Sequence, residues 1–214
     1  MALAKIFGAS GSMSGRPVSY QRDAVVDGAM VEFWSRGFGA SDVATLTQAT
    51  GLNRHSLYKS FAGKRGLFLD TLQHYIDVVA VAYVRVLEEG SGLDDIVAYF
   101  EHASRQRECL AETDDPPGFD QRGCFLVNTA IELGRTDAAV ARLLDEYYAR
   151  IERAFAGLIV RGQQSGSIRS DLDPETTARW LRVTSQGLSV SSRLGAMPVD
   201  IAMIVRTALS QPNK

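Results

Sequence analysis

Apolar residues along this chain recur at intervals of three and four positions, and no segment alternates apolar and polar residues as a strand would. The observed spacing is typical of amphipathic helices with one buried face. Glycines, prolines and capping residues divide the chain into separate helices. Apart from a turn motif near the N-terminus, the predicted helices cover about 20–36, 64–88, 92–110, 123–134, 137–164, 173–194 and 198–210. The predicted fold class is all-α.

The turn motif consists of two further short helices joined by a glycine. The first is predicted over about Val43–Thr50, with Ser41 or Asp42 as its N-cap. A capping oxygen accepts from the unpaired N–H groups of the first helical turn. Gly51 follows, where a left-handed residue ends a helix without a Cβ penalty. Asn53 is then expected to cap the second helix.

The second short helix separates apolar from polar side chains. Leu57 and Phe61 are four residues apart, so they fall on one buried face. The outward face then presents Arg54, His55, Tyr58 and Lys59. Such a polar and cationic helix after a tight glycine turn is what a helix-turn-helix places in the major groove of DNA.

These residues resemble the tetracycline-repressor (TetR) family of transcriptional regulators. The resemblance covers residues 20–75, through the segments VVDGAMVEFWSRGF, GLNRHSLYKSF and GKRGLF. Two positions depart from the family pattern. Asp42 stands where a small hydroxyl or neutral residue is usual, and we expect it to cap a helix rather than contact phosphate. His55 stands where glycine is frequent, and we expect it to alter sequence preference.

The resemblance implies a division of the chain into two parts. Residues 17–63 would form a helix-turn-helix DNA-binding domain, and residues 64–211 an effector-binding and dimerisation domain. The helices at about 173–194 and 198–210 would pair with those of a second subunit, giving a homodimer; the alternative is that their apolar residues fill the core of a monomer. The expected partners are double-stranded operator DNA and a small-molecule effector, with no cofactor, no metal and no membrane.

Roles in DNA binding follow from side-chain chemistry. Arg54 is the best candidate for reading a base, because a guanidinium can bond both O6 and N7 of guanine. His55 could reach a base or a phosphate. Tyr58 and Lys59 suit the phosphate backbone, as does Lys64 at the start of the next helix, where the free N–H groups favour anions. The family pattern adds Ser41 to this set.

Candidate effector-pocket residues are fewer and rest on weaker patterns. Cys124 would begin a helix, where a thiolate pKa is lowered, so it is a candidate redox or electrophile sensor that Arg122 would assist. The alternative is a small buried apolar residue. Asn128 and Trp180 could line a pocket; the alternatives, which their residue types favour, are core packing for Trp180 and a helix or turn contact for Asn128. His102 is the remaining candidate.

Composition and charge narrow the function further. Residues 1–75 carry 8 Lys/Arg and 5 Asp/Glu, whereas residues 76–214 carry 15 and 20, which suits a basic DNA-binding head on an acidic body. The chain has two cysteines without CxxC spacing, which indicates a reducing, cytoplasmic setting. The same spacing gives little support for a metal site built from His102, Cys109 and Cys124. The sequence contains no run of about 18 apolar residues, so no membrane-spanning helix is expected. Residues 1–12 are predicted to be a remnant of cloning.

Three classes of function remain to be compared. A ligand-responsive transcriptional regulator, most simply a repressor, accounts for the helix-turn-helix, the charge distribution and the apolar C-terminal helices. An enzyme using a cavity in the helical body lacks a Ser–His–Asp, paired-carboxylate or glycine-rich phosphate pattern. A helical interaction module would use the same turn motif on protein instead of DNA. The sequence favours the regulator.

Overall fold

The computed structural model describes residues 18–105, 122–194 and 200–211, and these ranges contain helices and no strand. The predicted all-α class is confirmed. Residues 1–12 and Cys109, which the sequence analysis singled out, lie outside these ranges. The helices are α1 (Val18–Ala40), α2 (Val43–Thr50), α3 (Arg54–Phe61), α4 (Lys64–His74), α5 (Val81–Glu89), α6 (Leu93–Arg105), α7 (Phe125–Leu133), α8 (Ala138–Ser165), α9 (Pro174–Arg193) and α10 (Ile201–Leu209).

The turn motif forms as the sequence predicts, because its signals are local. The Asp42 carboxylate accepts from Thr45 N at 2.8 Å and caps α2. Gly51 takes a left-handed conformation with φ 70° and ends that helix. The Asn53 side chain accepts from Ser56 N at 2.8 Å and caps α3. Each contact spans only a few residues, so sequence spacing is enough to specify it.

The helix predicted over 64–88 is not a continuous α-helix. It contains a π-helical segment, Tyr75–Ala80, between α4 and α5. A π-helical turn inserts an extra residue per turn and therefore rotates the side chains that follow it. The 26-residue stretch Lys64–Glu89 is long and apolar enough to cross a membrane by length and composition alone. Its residues Leu67, Phe68, Leu72, Val84 and Leu87 are buried within the protein, as in a core helix.

Two apolar clusters hold the helices together. The body cluster joins α5, α6, α8, α9 and α10 around Phe100, Phe155 and Leu158. The head cluster joins α1–α4 around Phe33, Leu57 and Phe68, and it continues into α7 and the start of α8. The helix-turn-helix therefore shares buried residues with helices that lie far later in the sequence. The boundary between residues 63 and 64 stays a prediction.

Candidate nucleic-acid interface and cavity

Helix α3 presents its polar side chains to solvent because two apolar residues fix its orientation. Leu57 is fully buried and Phe61 is 6% exposed, so the opposite face of the helix points outward. Tyr58 is 50% exposed. Arg54, His55 and Lys59 are also exposed, as predicted.

Contacts within the turn region hold Tyr58 in place. The Arg54 guanidinium carbon lies 5.8 Å from the centre of the Tyr58 ring. The ring also lies against Gly63, where a Cβ would lie 3.2 Å from Tyr58 Cε1. Gly63 also has φ 95°, a conformation that side chains rarely adopt. The Gly63 turn thus sets both the direction of α4 and the position of Tyr58.

Lys64 is half-buried at the start of α4 and its ammonium group faces the end of α1. Its Nζ lies 4.4 Å above the Phe38 ring and 3.5 Å from the Gly39 carbonyl oxygen. The N-cap residue of α4 is Gly63, which has no side chain to accept hydrogen bonds from the first N–H groups of the helix. Free N–H groups with a nearby ammonium form a surface that attracts phosphate.

Ser41 lies away from the exposed surface, contrary to its predicted place among the DNA contacts. Its side chain is fully buried and its hydroxyl donates to the Gly37 carbonyl oxygen at 2.7 Å. Gly37 interrupts α1 with φ 82° and ψ 170°, which leaves that carbonyl without a regular helical partner. Ser41 therefore stabilises the turn between α1 and α2.

A cavity of about 150 Å³ lies in the body, enclosed by α1, the π-helical segment and α5–α9. Aromatic rings and small polar groups form most of its wall. The aromatic lining residues are Trp34, Tyr75, Tyr83, Tyr99, Tyr147 and Tyr148. Polar groups come mainly from one face of α9, where the lining residues are Arg182, Ser185, Gln186, Ser189 and Ser192.

The tyrosine hydroxyls of the cavity remain protonated at neutral pH. Burial raises the pKa of Tyr99 to about 12 and raises the pKa values of Tyr75, Tyr83, Tyr147 and Tyr148 as well. A protonated phenol can donate a hydrogen bond and can also accept one. Arg182 is paired with Glu152 at 2.6 Å and donates to Gln186 at 2.8 Å. The wall thus combines flat apolar surfaces with uncharged hydrogen-bonding groups and one arginine, whose charge is paired with Glu152.

Cys124 lines the cavity, but its thiol does not have the lowered pKa that the sequence suggested. It precedes α7, and the N–H groups of Leu126 and Val127 lower its pKa as expected at a helix start. Burial has the larger effect and raises the pKa of the thiol overall. The Tyr75 hydroxyl lies 3.9 Å from its sulfur, and Arg122 instead stacks on Trp34 at 4.7 Å. A thiol with a raised pKa is a poor nucleophile, which weakens the sensor hypothesis.

Two of the other candidate pocket residues, Asn128 and Trp180, do not line the cavity. The Asn128 side-chain amide donates to the Arg122 carbonyl oxygen at 2.6 Å, so Asn128 is a turn contact. Trp180 is 40% exposed on the outer face of α9, which excludes both its predicted place in the pocket and core packing. The side chain of His102 lies outside the described residues. Among the residues that are described, no three His, Cys, Asp or Glu side chains come close enough to hold a metal ion.

An apolar strip runs along the exposed faces of α9 and α10. Its large side chains and their exposed fractions are Trp180 40%, Val183 55%, Val190 38%, Leu194 78%, Met203 59% and Ile204 44%. On α9 the strip follows positions 180, 183, 187, 190 and 194, a spacing of three and four that keeps all five on one face. Position 187 is a glycine, and a Cβ there would meet no atom within 4 Å. Leu188 of α9 and Val205 of α10 lie on the other faces of these helices and are buried.

The cavity residues that sequence reasoning missed are chiefly tyrosines. Five of the seven tyrosines in the chain line the cavity. Tyrosine is amphipathic, so a concentration of tyrosines in a helical body is a usable signal for a polar cavity. The spacing of these residues carries no such signal, because they come from the π-helical segment and three different helices.

Two family profiles match the chain. The family described as "Bacterial regulatory proteins, tetR family" matches residues 25–71, and "Tetracyclin repressor-like, C-terminal domain" matches residues 92–208. Among curated proteins, the HTH-type transcriptional repressor ComR of Escherichia coli (strain K12) is 33% identical over 197 residues, covering 91% of this chain and 90% of ComR. The HTH-type transcriptional repressor DhaR of Mycobacterium sp. (strain GP1) is 26% identical, covering 78% and 79%.

Solved structures give the same comparison in three dimensions. A cysteine mutant of the TetR family transcriptional regulator CifR, complexed with 26-bp double-strand operator DNA, superposes with a TM-score of 0.72 at 26% identity. The alignment covers 91% of this chain and all of that one. The reduced form of Escherichia coli NemR has a TM-score of 0.72 at 16% identity, with 90% and 97% covered, and shows the likeness of fold alone.

Proposed function

Because this chain belongs to the tetR family of bacterial transcriptional regulators, we propose that it is a repressor that binds a near-palindromic operator as a homodimer. A small molecule entering the cavity would release it from the DNA. The observation that carries the DNA-binding part is the orientation of α3, in which buried Leu57 and Phe61 turn Arg54, His55 and Lys59 outward. We expect the protein to act in the cytoplasm, where its operator would be accessible.

On this proposal the exposed residues have separate roles. Arg54, at the start of α3, reads a guanine, and His55 next to it reaches a base or a phosphate. Tyr58 and Lys59 contact the phosphate backbone, as does Lys64 together with the free N–H groups of α4. Ser41 contributes only by holding the turn, since its side chain is fully buried.

A gel-shift assay with the DNA flanking the gene for this protein tests the proposal. We expect a saturable complex that unlabelled specific DNA displaces far better than random DNA. Selection from random duplexes should then return a site with two related halves. No preference for any duplex over random DNA would contradict a role as a regulator with an operator.

The homodimer is supported by the apolar strip on α9 and α10. Monomeric proteins rarely leave a contiguous apolar strip in water, and such strips usually mark interfaces. Two copies related by a two-fold axis would bury it and would also present two recognition helices to two half-sites. One α3 reads only a few base pairs, so dimerisation supplies the remaining specificity.

The effector is proposed to be a small aromatic molecule with at least one hydrogen-bonding group. Its rings would pack on Trp34 and the tyrosines, and its polar group would meet the serine and glutamine side chains of α9. A thermal-shift screen should include flat aromatic compounds, lipophilic cations, acyl thioesters and electrophiles. A compound bound in the cavity should raise the unfolding temperature of the wild type but not of Ser189→Phe, in which a ring fills the space. An equal shift in that variant would place the binding site elsewhere.

Release from DNA requires that the effector bind the DNA-incompetent arrangement more tightly. A tenfold loss of operator affinity corresponds to about 1.4 kcal/mol of coupling. The α4 and π-helical segments connect Lys64 at the head with Tyr75 at the cavity, so a tilt of this stretch is the proposed path. By reciprocity the operator must weaken effector binding by the same factor. Calorimetry measures the effector affinity with and without operator, and equal affinities would exclude induction.

A further inference from the structure

The end of α1 is held by a carboxylate from a helix far away in the sequence. Gly37 interrupts α1, so the N–H groups of Phe38 and Gly39 point out of the helix. Glu132 of α7 accepts from Phe38 N at 2.8 Å and from Gly39 N at 2.6 Å. A Cβ at Gly37 would lie 2.8 Å from Glu132 Oε2, and one at Gly39 3.1 Å from Oε1. The two glycines therefore provide the room that this carboxylate occupies.

A second carboxylate, five residues later, holds the start of α4. Arg65 donates to Asp137 through Nε at 2.6 Å and through an Nη at 2.8 Å. Asp137 also caps α8 by accepting from Ala139 N at 3.0 Å and Val140 N at 3.3 Å. Paired parallel bonds of this kind fix the angle between the two groups as well as their distance. Both helices that flank the helix-turn-helix are thus held by the segment from 132 to 137.

Helix α7 carries this contact at one end and part of the cavity wall at the other. Gly123 and Cys124, just before α7, line the cavity, and the Gly123 carbonyl accepts from Trp34 Nε1 at 2.9 Å. Phe125, the first residue of α7, packs edge-on against Tyr75 at 5.6 Å and against Phe68 at 5.8 Å. A nine-residue helix spans about 13 Å, so the wall and the carboxylate move as one short rigid unit.

We propose that Glu132 and Asp137 are positioning residues that set the orientation of the recognition helix relative to the body. The inference rests on the proposed function, since orientation matters for DNA binding only when two heads must match two half-sites. The contact between Glu132 and the end of α1 connects the head to the body by a second route, in addition to α4. Removing the Glu132 carboxylate leaves the residues of α3 unchanged but lets the head reorient.

The test compares operators that differ only in the spacing of their halves. The site selected from random duplexes by the wild type is prepared with one base pair inserted or deleted between the halves. The wild type should discriminate strongly against both altered sites, whereas Glu132→Ala should discriminate about tenfold less, the scale expected for hydrogen bonds to one charged group. The base preference within each half-site should not change. Glu132→Gln, which keeps one acceptor oxygen, should fall between the two.

Two further variants separate this role from general effects of charge and folding. Glu146→Ala removes an exposed carboxylate from α8 and should behave as the wild type. Arg65→Lys keeps the charge but cannot form the paired bonds, so it should loosen spacing discrimination in the same direction as Glu132→Ala. Spacing discrimination equal to the wild type in Glu132→Ala would overturn the proposal.

Hydrogen exchange tests the contact without DNA. In Glu132→Ala the amides of Phe38 and Gly39 should exchange at least several-fold faster, while those of Leu46 and Leu57 in the helix interiors should not change. Unchanged exchange at Phe38 and Gly39 would also overturn the proposal. If the wild type selects no DNA site while this exchange effect is present, the proposed function fails and the contact itself stands.

Discussion

Helices α3 and α9 both leave one face uncovered, yet the two faces have opposite chemistry. The face of α3 carries Arg54, His55 and Lys59, whereas that of α9 carries Trp180, Val183 and Leu194. Each helix is fixed by buried residues on its other side, Leu57 in α3 and Leu181 in α9. Amphipathic packing therefore does not reveal which faces await a partner. The composition of the uncovered face supports the partner that we propose for it, a polyanion for the first and an apolar surface for the second.

If the protein is the proposed homodimer, DNA binding by the α3 face also depends on the α9 face. A cationic helix that reads a few base pairs gains specificity and affinity when a second copy is fixed at a defined distance. Linking two binding modules raises overall affinity by roughly 10²–10⁴-fold without any new contact. Damage to the apolar face should therefore cost more operator affinity than the loss of any single residue on the cationic face.

The largest effect is expected from Gly187→Arg on the apolar face. Gly187 lies in open space in the monomer, so an arginine there leaves the fold intact but places a charged side chain in the strip. We expect a monomer by size-exclusion chromatography with light scattering, and an operator affinity at least about 100-fold lower in gel shifts. Gly187→Ala, which adds one methyl group, is the matched control and should remain a dimer. A stable dimer of Gly187→Arg would refute the proposed interface.

Arg54→Ala should give the next largest effect and act on sequence preference. A bidentate contact to guanine contributes about 1–3 kcal/mol of discrimination. Selection from random duplexes should therefore show a relaxed preference at one position in each half-site. Arg85→Ala, which removes the same charge from an exposed position of the body, is the control. Identical preferences for Arg54→Ala and the wild type would mean that Arg54 does not read a base.

Lys59→Ala and Lys64→Ala should weaken binding to all duplexes without changing the preferred sequence. Each phosphate contact contributes about 0.9 to the slope of log affinity against log salt concentration. The slope should fall by about one for each lysine that contacts phosphate in one subunit, and by about two when both subunits carry the change. Titrations between low and physiological salt measure it, with Arg85→Ala again as control. An unchanged slope for Lys64→Ala would mean that the Lys64 ammonium contacts only Phe38 and the end of α1 and does not contact phosphate.

The smallest effect is expected on folding stability, from the ion pair between Arg65 and Asp137 that connects the head to the body. Hydrogen bonds from Arg65 hold the pKa of Asp137 at about 2, below its ordinary value of 3.8. Because the pKa of Asp137 is lower in the folded state than in the unfolded state, its ionised carboxylate stabilises the folded state fully above about pH 4. This stabilisation is lost as the pH falls toward 2. Asp137→Asn should cost about 0.5–1 kcal/mol at pH 7, a typical value for a partly exposed ion pair.

Urea unfolding of the wild type and Asp137→Asn between pH 7 and pH 3 measures this effect. The difference in stability between the two proteins should be constant down to about pH 4 and should shrink below it. Asparagine can still cap α8, so the difference reports the pair with Arg65 rather than the cap. A difference that does not change with pH would remove the ion pair as its cause.

Much of the head could be predicted from the sequence because its determinants are local. Asp42 and Asn53 cap helices by bonds to residues three positions away, and Gly51 ends a helix through its own backbone conformation. Leu57 and Phe61 are buried because a helical repeat places them together. The burial of Ser41 did not follow from the sequence, since its side chain turns toward the Gly37 carbonyl at the break in α1. The break itself lies where the helix predicted over about 20–36 ends, and what the sequence did not indicate is that a carboxylate of α7 occupies the space beside it.

The sequence by itself determined the all-α class, the turn motif and the chemistry of the uncovered face of α3, because periodicity and capping act over a few residues. Only the tertiary structure decided which residues meet across the chain. It brought five tyrosines and Trp34 around one cavity, turned Trp180 outward, and buried Cys124 so that its pKa rises although it stands at a helix start. Burial and long-range contacts depend on how whole helices pack, and residue spacing within one helix carries no information about that.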